Sequence, residues 1–191
     1  MTAPAVVVIG GSAGALEVLR TIVRGLPQAL SCPVVIVIHI PSHSSGLAEL
    51  LGVDTSLTVK QAEDKEPLLA GTVYVAPPNY HLLIEPQRTF ALSVDPPVHF
   101  SRPSIDVLFE SARDVYGASL IGILLSGASE DGAAGLQEIH AAGGTTIVQS
   151  PLSAEAAIMP AAALALFEPA YVWSPNEMAA GLTQLLSGRS P

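Results

Sequence analysis

The sequence predicts an α/β fold: a doubly wound, mainly parallel sheet with helices on both faces and an antiparallel edge hairpin. Three observations predict it. Short apolar runs rich in β-branched residues are near-continuous rather than alternating, as in strands buried on both faces. Stretches of helical period lie between them. The resulting alternation of strand and helix continues almost to the C-terminus, which is the signature of a doubly wound sheet.

The first run, residues 5–9, ends at Gly10-Gly11 and reads as a strand. Residues 15–24 follow as a helix with Leu16, Leu19, Ile22 and Val23 on one face. Val34–Ile38 is the second apolar run, and Cys32 beside it reads as a small core residue. Residues 71–76, 81–85 and 89–94 are short and strand-like. Glu85-Pro86-Gln87-Arg88 supplies a turn between the last two, giving the hairpin at the sheet edge, which Asp95-Pro96-Pro97 ends. Glu63-Asp64-Lys65-Glu66 reads as a solvated loop. Pro103 suits the first turn of a helix over 104–116, with Ile105, Leu108, Phe109 and Ala112 on one face. Runs at 120–125, 145–148 and 170–173 read as further strands, and 133–142 and 175–186 as helices. Without a repeat, a low-complexity segment or a composition shift, residues 1–191 read as one domain.

Composition excludes several functions. Eight Lys and Arg stand against 17 Asp and Glu, a net charge of −9, with no basic stripe to displace counterions from phosphate. Nucleic acid and an anionic membrane surface are therefore not expected partners. A single cysteine excludes an intramolecular disulfide and a cysteine-rich zinc site. The N-terminus lacks the basic segment and long apolar core of a signal peptide. The most apolar long stretch, 154–167, contains Glu155 and Pro160 and falls short of the ~18 residues of a membrane span. A soluble, cytoplasmic protein with no direct membrane insertion is expected.

Ligands of open α/β sheets gather beyond the carboxyl ends of the strands. There the sequence places Gly10-Gly11-Ser12-Ala13-Gly14 after the first strand, His39 after the second, and Ser126-Gly127-Ala128-Ser129-Glu130-Asp131-Gly132 after the 120–125 run. Serine, histidine and aspartate thus share one end of the sheet, and they are the three side chains of a serine hydrolase. The first loop fits G-x-S-x-G, a sharp strand-to-helix turn that exposes a serine hydroxyl and aims the following backbone N–H at an oxyanion. The competing structural readings are a helix N-cap role for Ser12 and for Asp131, and a hydrogen-bonded core role for His39. A dinucleotide fingerprint is not met: the glycines stand at 10, 11 and 14, and His39 occupies the place of the expected acidic residue. There is no G-K-[ST] of a P-loop. His43 stands four residues after His39, but Pro41 between them argues against a shared helix; His81, His99 and His140 read as surface or loop residues. No third ligand has metal-like spacing, so no metal site is expected.

At this point the chain resembles a known family, the catalytic domain of the bacterial chemotaxis protein-glutamate methylesterase (CheB-type). The resemblance runs in order through VVVIGGSAGALEVL (6–19), VVIVIHIP (34–41), GTVYVAPPNYHLLI (71–84), RPSIDVLFESAR (102–113), GILLSGASEDGAAGL (122–136) and QSPLSAEAAIMPAAAL (149–164). It implies a doubly wound α/β domain and no metal or organic cofactor. It implies a nucleophile at Ser12, a base at His39 and an orienting carboxylate at Asp131. It implies hydrolysis of γ-glutamyl methyl esters on methyl-accepting chemotaxis receptors, in some members with deamidation of receptor glutamines.

The chain departs from the family pattern at several neighbours of the serine and histidine. The usual A-S-T-G-G is Gly11-Ser12-Ala13-Gly14-Ala15, the residues flanking His39 are Ile38 and Ile40, and the Met of G-M-G is Ala128. These bear on rate and substrate preference more than on reaction class. The expected oxyanion donors are the N–H of Ala13 with that of Gly127 or Ala128. The first strand begins within about five residues of the N-terminus, so no receiver domain of the family kind is expected ahead of it. Either regulation differs, or a receiver protein supplies it in trans, or the chain is part of a longer protein. The alternative from another class is a catalytically impaired binding or adaptor domain that keeps the fold.

Overall fold

A computed structural model describes residues 4–39, 46–53 and 55–187. In chain order the elements are β1 (Val6–Gly11), α1 (Ala15–Gly25), β2 (Val34–Ile38), α2 (Leu47–Gly52), β3 (Thr58–Gln61), β4 (Thr72–Val75), β5 (His81–Ile84) and β6 (Phe90–Ser93). Then follow α3 (Ile105–Tyr116), β7 (Leu120–Leu124), α4 (Ala133–Ala141), β8 (Thr145–Gln149), α5 (Ile158–Leu166), β9 (Tyr171–Trp173) and α6 (Pro175–Leu186).

Seven strands form one sheet in the order β3-β4-β2-β1-β7-β8-β9, with every neighbouring pair parallel. The continuous apolar runs are explained by burial on both sides: all residues of β1, β2 and β7 are buried. Alternate side chains enter two cores. Val7, Ile9, Val34 and Ile36 face a core with α1 and α6, through Leu19, Ile22 and Leu182. Val6, Val8, Val35 and Val37 face the opposite core with α3, α4 and α5, through Leu108, Phe109, Leu136 and Met159. The helical face expected in 104–116 is borne out, with Ile105, Leu108, Phe109 and Ala112 all fully buried. Its N-cap is Ser104, one residue after Pro103.

The hairpin forms with His81 opposite Ser93 and Ile84 opposite Phe90, but as a separate two-stranded antiparallel sheet rather than the edge of the main one. The reason lies in packing. Leu82, Ile84 and Phe90 are buried in the same core as Leu108 and Phe109 of α3, and Ile84 N–H donates to Ser111 Oγ at 3.1 Å. The edge is instead β3, Thr-Val-Lys-Gln, whose pattern of exposed ends and half-buried centre gives no apolar run to read. The short α2 also lacks a readable pattern. In α5, IMPAAALAL, apolar residues surround the axis and leave no helical period.

The chain winds from β1 toward β2, β4 and β3, then returns to β7, β8 and β9 on the other side. Connections after β1 and β7 therefore diverge, and the crevice between them is the expected ligand position. Close approach at this switch point explains Gly10. A Cβ there would meet the Ile105 side chain, which starts α3. Gly10→Ala should lower stability by about 1–3 kcal/mol through overpacking. It should also lower any activity of the site, because Ile105 N–H is one of its donors. Thermal melts check the first effect; an unchanged melting temperature would show that Ile105 yields freely.

Candidate active site

The loop after β1 is held from both sides. Ser12 N–H donates to Ser126 O at 2.9 Å, and Ala15 N–H donates to Ser12 O at 3.0 Å. Gly14 then enters α1 with φ 77°, a left-handed conformation that glycine adopts without strain. A Cβ on Gly14 would lie 2.5 Å from Glu155 Cβ and 2.9 Å from Ser126 Oγ. The N-cap of α1 is Gly14 and no side chain caps this helix, so the N-cap reading of Ser12 falls. Its side chain is half-buried beside an exposed Ala13.

His39 follows β2, and its backbone N–H donates to Gly11 O at 3.0 Å, which brings it alongside the Ser12 loop. Its Nε2 is 2.7 Å from Asp131 Oδ2. Its Nδ1 is 3.4 Å from Ser101 Oγ, a long contact. Among the described residues no hydrogen bond joins Ser12 to His39. The carboxyl edge of the sheet thus carries all three expected residues, two of them bonded to each other.

Asp131 is fully buried and accepts from four donors. Oδ1 takes Ser104 Oγ at 2.8 Å and Asp106 N–H at 3.1 Å; Oδ2 takes Ile105 N–H at 2.8 Å besides His39. The carboxylate therefore sits on the N-terminus of α3, where unpaired N–H groups and the helix dipole favour a negative charge. The N-cap of its own helix α4 is Gly132, with φ 90°. Burial alone would raise the Asp131 carboxyl. The hydrogen bond from His39 and those from Ile105, Asp106 and Ser104 outweigh this and hold it below its ordinary value. An ionised carboxylate only accepts, so Nε2 of His39 carries a proton, and in the neutral tautomer Nδ1 is the nitrogen with the lone pair.

Two residues outside the expected site, Ser104 and His81, support this pair. Ser104 joins α3 to Asp131, and its own N–H donates to His81 Nδ1 at 3.1 Å. His81 is buried, against the surface or loop role expected of it, and its Nε2 donates to Pro96 O at 3.2 Å. The β5 strand that carries it is covered by α3, which no local pattern announces.

Of the expected oxyanion donors, Gly127 is committed elsewhere: its N–H donates to Ala156 O at 2.9 Å. Ala13 and Ala128 are both exposed, and among the described residues their N–H groups have no partner. Ser126 ties the two loops together, its hydroxyl donating to Ala13 O at 2.7 Å and accepting from Ala156 N–H at 2.9 Å. Gln149 fixes Ser126 in turn, through Ser126 N–H to its Oε1 at 2.8 Å. Pro41 and His43 lie outside the described residues. Among the described residues no group of histidine, cysteine and carboxylate side chains is placed to hold a metal ion. No helix among them is long and apolar enough to cross a membrane.

A second carboxylate lies behind the first. Asp106 Oδ1 accepts from Gly135 N–H at 2.7 Å, and Oδ2 is 3.4 Å from His99 Nε2. Burial pushes this carboxyl up to about 6; the Asp131 charge adds to the rise, against the N–H groups of Gly135 and Gly132. A carboxyl raised in the fold keeps its proton longer than in the unfolded chain. Stability is therefore lost as pH rises from about 4 through this value. Asp106→Asn keeps an acceptor for Gly135 and should remove that loss. The variant's melting temperature relative to wild type should be higher at about pH 7 than at about pH 4. The same difference at both pH values would show that ionisation of Asp106 is not what the fold opposes.

The sequence model of the CheB methylesterase family matches residues 7–182. A protein of Leptospira interrogans serogroup Icterohaemorrhagiae serovar copenhageni, provisionally named protein-glutamate methylesterase/protein-glutamine glutaminase, is 48% identical over 174 residues, 91% of this chain and 90% of that protein. Protein-glutamate methylesterase/protein-glutamine glutaminase 2 of Methanospirillum hungatei is 38% identical over 185 residues, 96% of this chain and 53% of the relative. The crystal structure of the Thermotoga maritima CheB methylesterase catalytic domain superposes with a TM-score of 0.92 at 30% identity, covering 96% of this chain and all of that one.

Proposed function

The chain belongs to the CheB methylesterase family, and from that premise we propose that it is a serine hydrolase demethylating glutamate γ-methyl esters on chemoreceptors. The observation that carries the mechanism is the orientation of His39. With Asp131 on Nε2 at 2.7 Å, Nδ1 is the nitrogen left to act as base. Ser12 Oγ attacks the ester carbonyl as its proton passes to Nδ1. The tetrahedral oxyanion is received by the N–H groups of Ala13 and Ala128, the two expected donors without a partner. Each such donor is worth roughly 3–4 kcal/mol of barrier. Collapse expels methanol with the proton from Nδ1, leaving an acyl-serine. Water then attacks the acyl carbon, Nδ1 takes a proton from it, and the glutamate carboxylate leaves as Ser12 recovers its proton. Asp131, kept ionised by its four donors, stabilises the imidazolium in both steps.

Glutamine presents the same acyl carbon with ammonia as the leaving group. The relatives' names include protein-glutamine glutaminase, and we infer that this chain catalyses that reaction through the same acyl-serine. The test is release of methanol from a methylated chemoreceptor and of ammonia from its glutamine form by the purified chain. A covalent serine probe separates the enzyme from an adaptor that keeps only the fold. Labelling at Ser12 that requires His39 supports the enzyme; receptor binding without labelling or product supports the adaptor.

A further inference from the structure

Residues 98–101 make a two-residue turn at the mouth of the site, and it breaks the rule for such turns. Val98 N–H donates to Ser101 O at 3.1 Å and Ser101 N–H to Val98 O at 2.8 Å. His99 and Phe100 between them have φ 47° and 60°. Left-handed backbone at both central positions favours Asn-Gly and is strained for an aromatic residue. The strain does not serve the core, because Phe100 is fully exposed. At its other end Ser101 Oγ lies 3.4 Å from His39 Nδ1, a long contact that places the turn beside the site. A large apolar side chain is thus held in water one residue from the contact to the catalytic histidine. Such outliers point to function when the surrounding structure enforces them.

A second segment beside the Ser12 loop has the same character. The segment after β8 packs on the Ser12 loop through Glu155 beside Gly14, and on the adjoining Ser126 loop through Ala156 N–H to Ser126 Oγ. It carries a fully exposed Leu152 and leads to an exposed Ile158 at the start of α5. The exposed carboxylates around the Ser12 loop, Glu130 and Glu155, are acidic in a chain of net charge −9, and Glu130 faces His99 of the turn at 3.7 Å; Arg102, next to the turn, is half-buried with its guanidinium on Val94 O and Asp95 O. Apolar anchors with an acidic rim suit a surface whose carboxylates have been neutralised, and repel the same surface once its carboxylates are free.

We propose that the 98–101 turn is a docking element for the methylated receptor, with Phe100 as the anchor that packs against the receptor surface beside the esterified glutamate. This rests on the reading of the chain as a receptor methylesterase. The acidic rim then favours the neutral ester over the carboxylate product.

The test measures binding without turnover. A chemoreceptor signalling fragment carrying methyl-esterified glutamate is titrated into Ser12→Ala and into Ser12→Ala with Phe100→Ala. The expected result is about tenfold or greater weakening on loss of the ring, the size of a truncated anchor. Phe100→Trp should restore the affinity. His99→Asn with Phe100→Gly, which suits the turn but lacks the ring, should bind as weakly as Phe100→Ala while melting higher than wild type. Equal affinity with and without the ring would overturn the proposal. So would sedimentation showing that Phe100 joins two copies of the chain. Methanol release by the wild-type chain is followed in parallel. A receptor that binds through Phe100 but is never demethylated defeats the enzymatic reading alone; one that is demethylated with Phe100 irrelevant defeats the docking proposal alone.

Discussion

Ser12→Ala is expected to reduce methanol release from the methylated receptor by a factor on the order of 10⁴ to 10⁶, the range for removing the nucleophile of a serine hydrolase. On the proposed mechanism there is no substitute, because only an oxygen at this position can form the acyl intermediate. The fold should hardly notice. The Ser12 hydroxyl caps no helix and is half-buried, and its backbone bonds to Ser126 and from Ala15 survive the change. A stability change within about 0.5 kcal/mol is expected. Ester hydrolysis with thermal melts of the same preparation checks both parts. Activity surviving within about tenfold of wild type would remove Ser12 from the mechanism. Ser12→Ala combined with His39→Ala should cost no more than the worse single change, because the two act as one unit.

Asp131→Asn is expected to lower kcat by on the order of 10⁴, the loss found when a triad aspartate is made neutral. Here the structure adds a cost in stability. The four donors around the carboxylate leave no place for an amide NH₂ group. With NH₂ on the His39 side it meets Ile105 N–H and forces the imidazole into the tautomer whose Nδ1 is protonated and cannot act as base. With NH₂ on the other side Ser104 Oγ can turn to accept, but Asp106 N–H faces a donor. Either way a buried N–H is left unpaired, at about 1–3 kcal/mol, and the N-terminus of α3 loses its negative charge. The pH dependence has a definite sign. A carboxyl whose value is lowered by folding contributes stability above its unfolded value and loses it as pH falls. The gap in melting temperature between wild type and Asp131→Asn should therefore shrink as the solution is acidified below the ordinary carboxylate range. A gap that stays constant in acid would mean that the carboxylate charge contributes nothing to the fold.

How the site could be read before folding depends on which facts are local. Ser12, His39 and Asp131 were legible because each follows a strand at its carboxyl end, and strands buried on both faces leave unbroken apolar runs. The same runs marked β1, β2 and β7, and the 3.6-residue period marked α1 and α3. Where burial is one-sided or uniform the pattern fails: β3 is a polar edge, and α5 is apolar all round.

Burial pattern along the chain is a one-dimensional record of which elements turn inward, and it determined the class of fold, the strand ends and the residue types gathered there. It does not record which atoms of distant residues meet. Asp131 could be expected near His39, but only packing set its carboxylate on the N-terminus of α3 rather than of α4. That placement gives Nε2 to Asp131 and turns Nδ1 away from it. Packing of the 150–157 segment engaged Gly127 N–H with Ala156 and left Ala128 as the open donor. It also buried His81 against Ser104 and drew the β5–β6 hairpin away from the sheet onto α3. Each of these outcomes turns on a hydrogen bond or contact between segments far apart in sequence. Their energies depend on distance and angle, which are fixed only when the helices settle on the sheet.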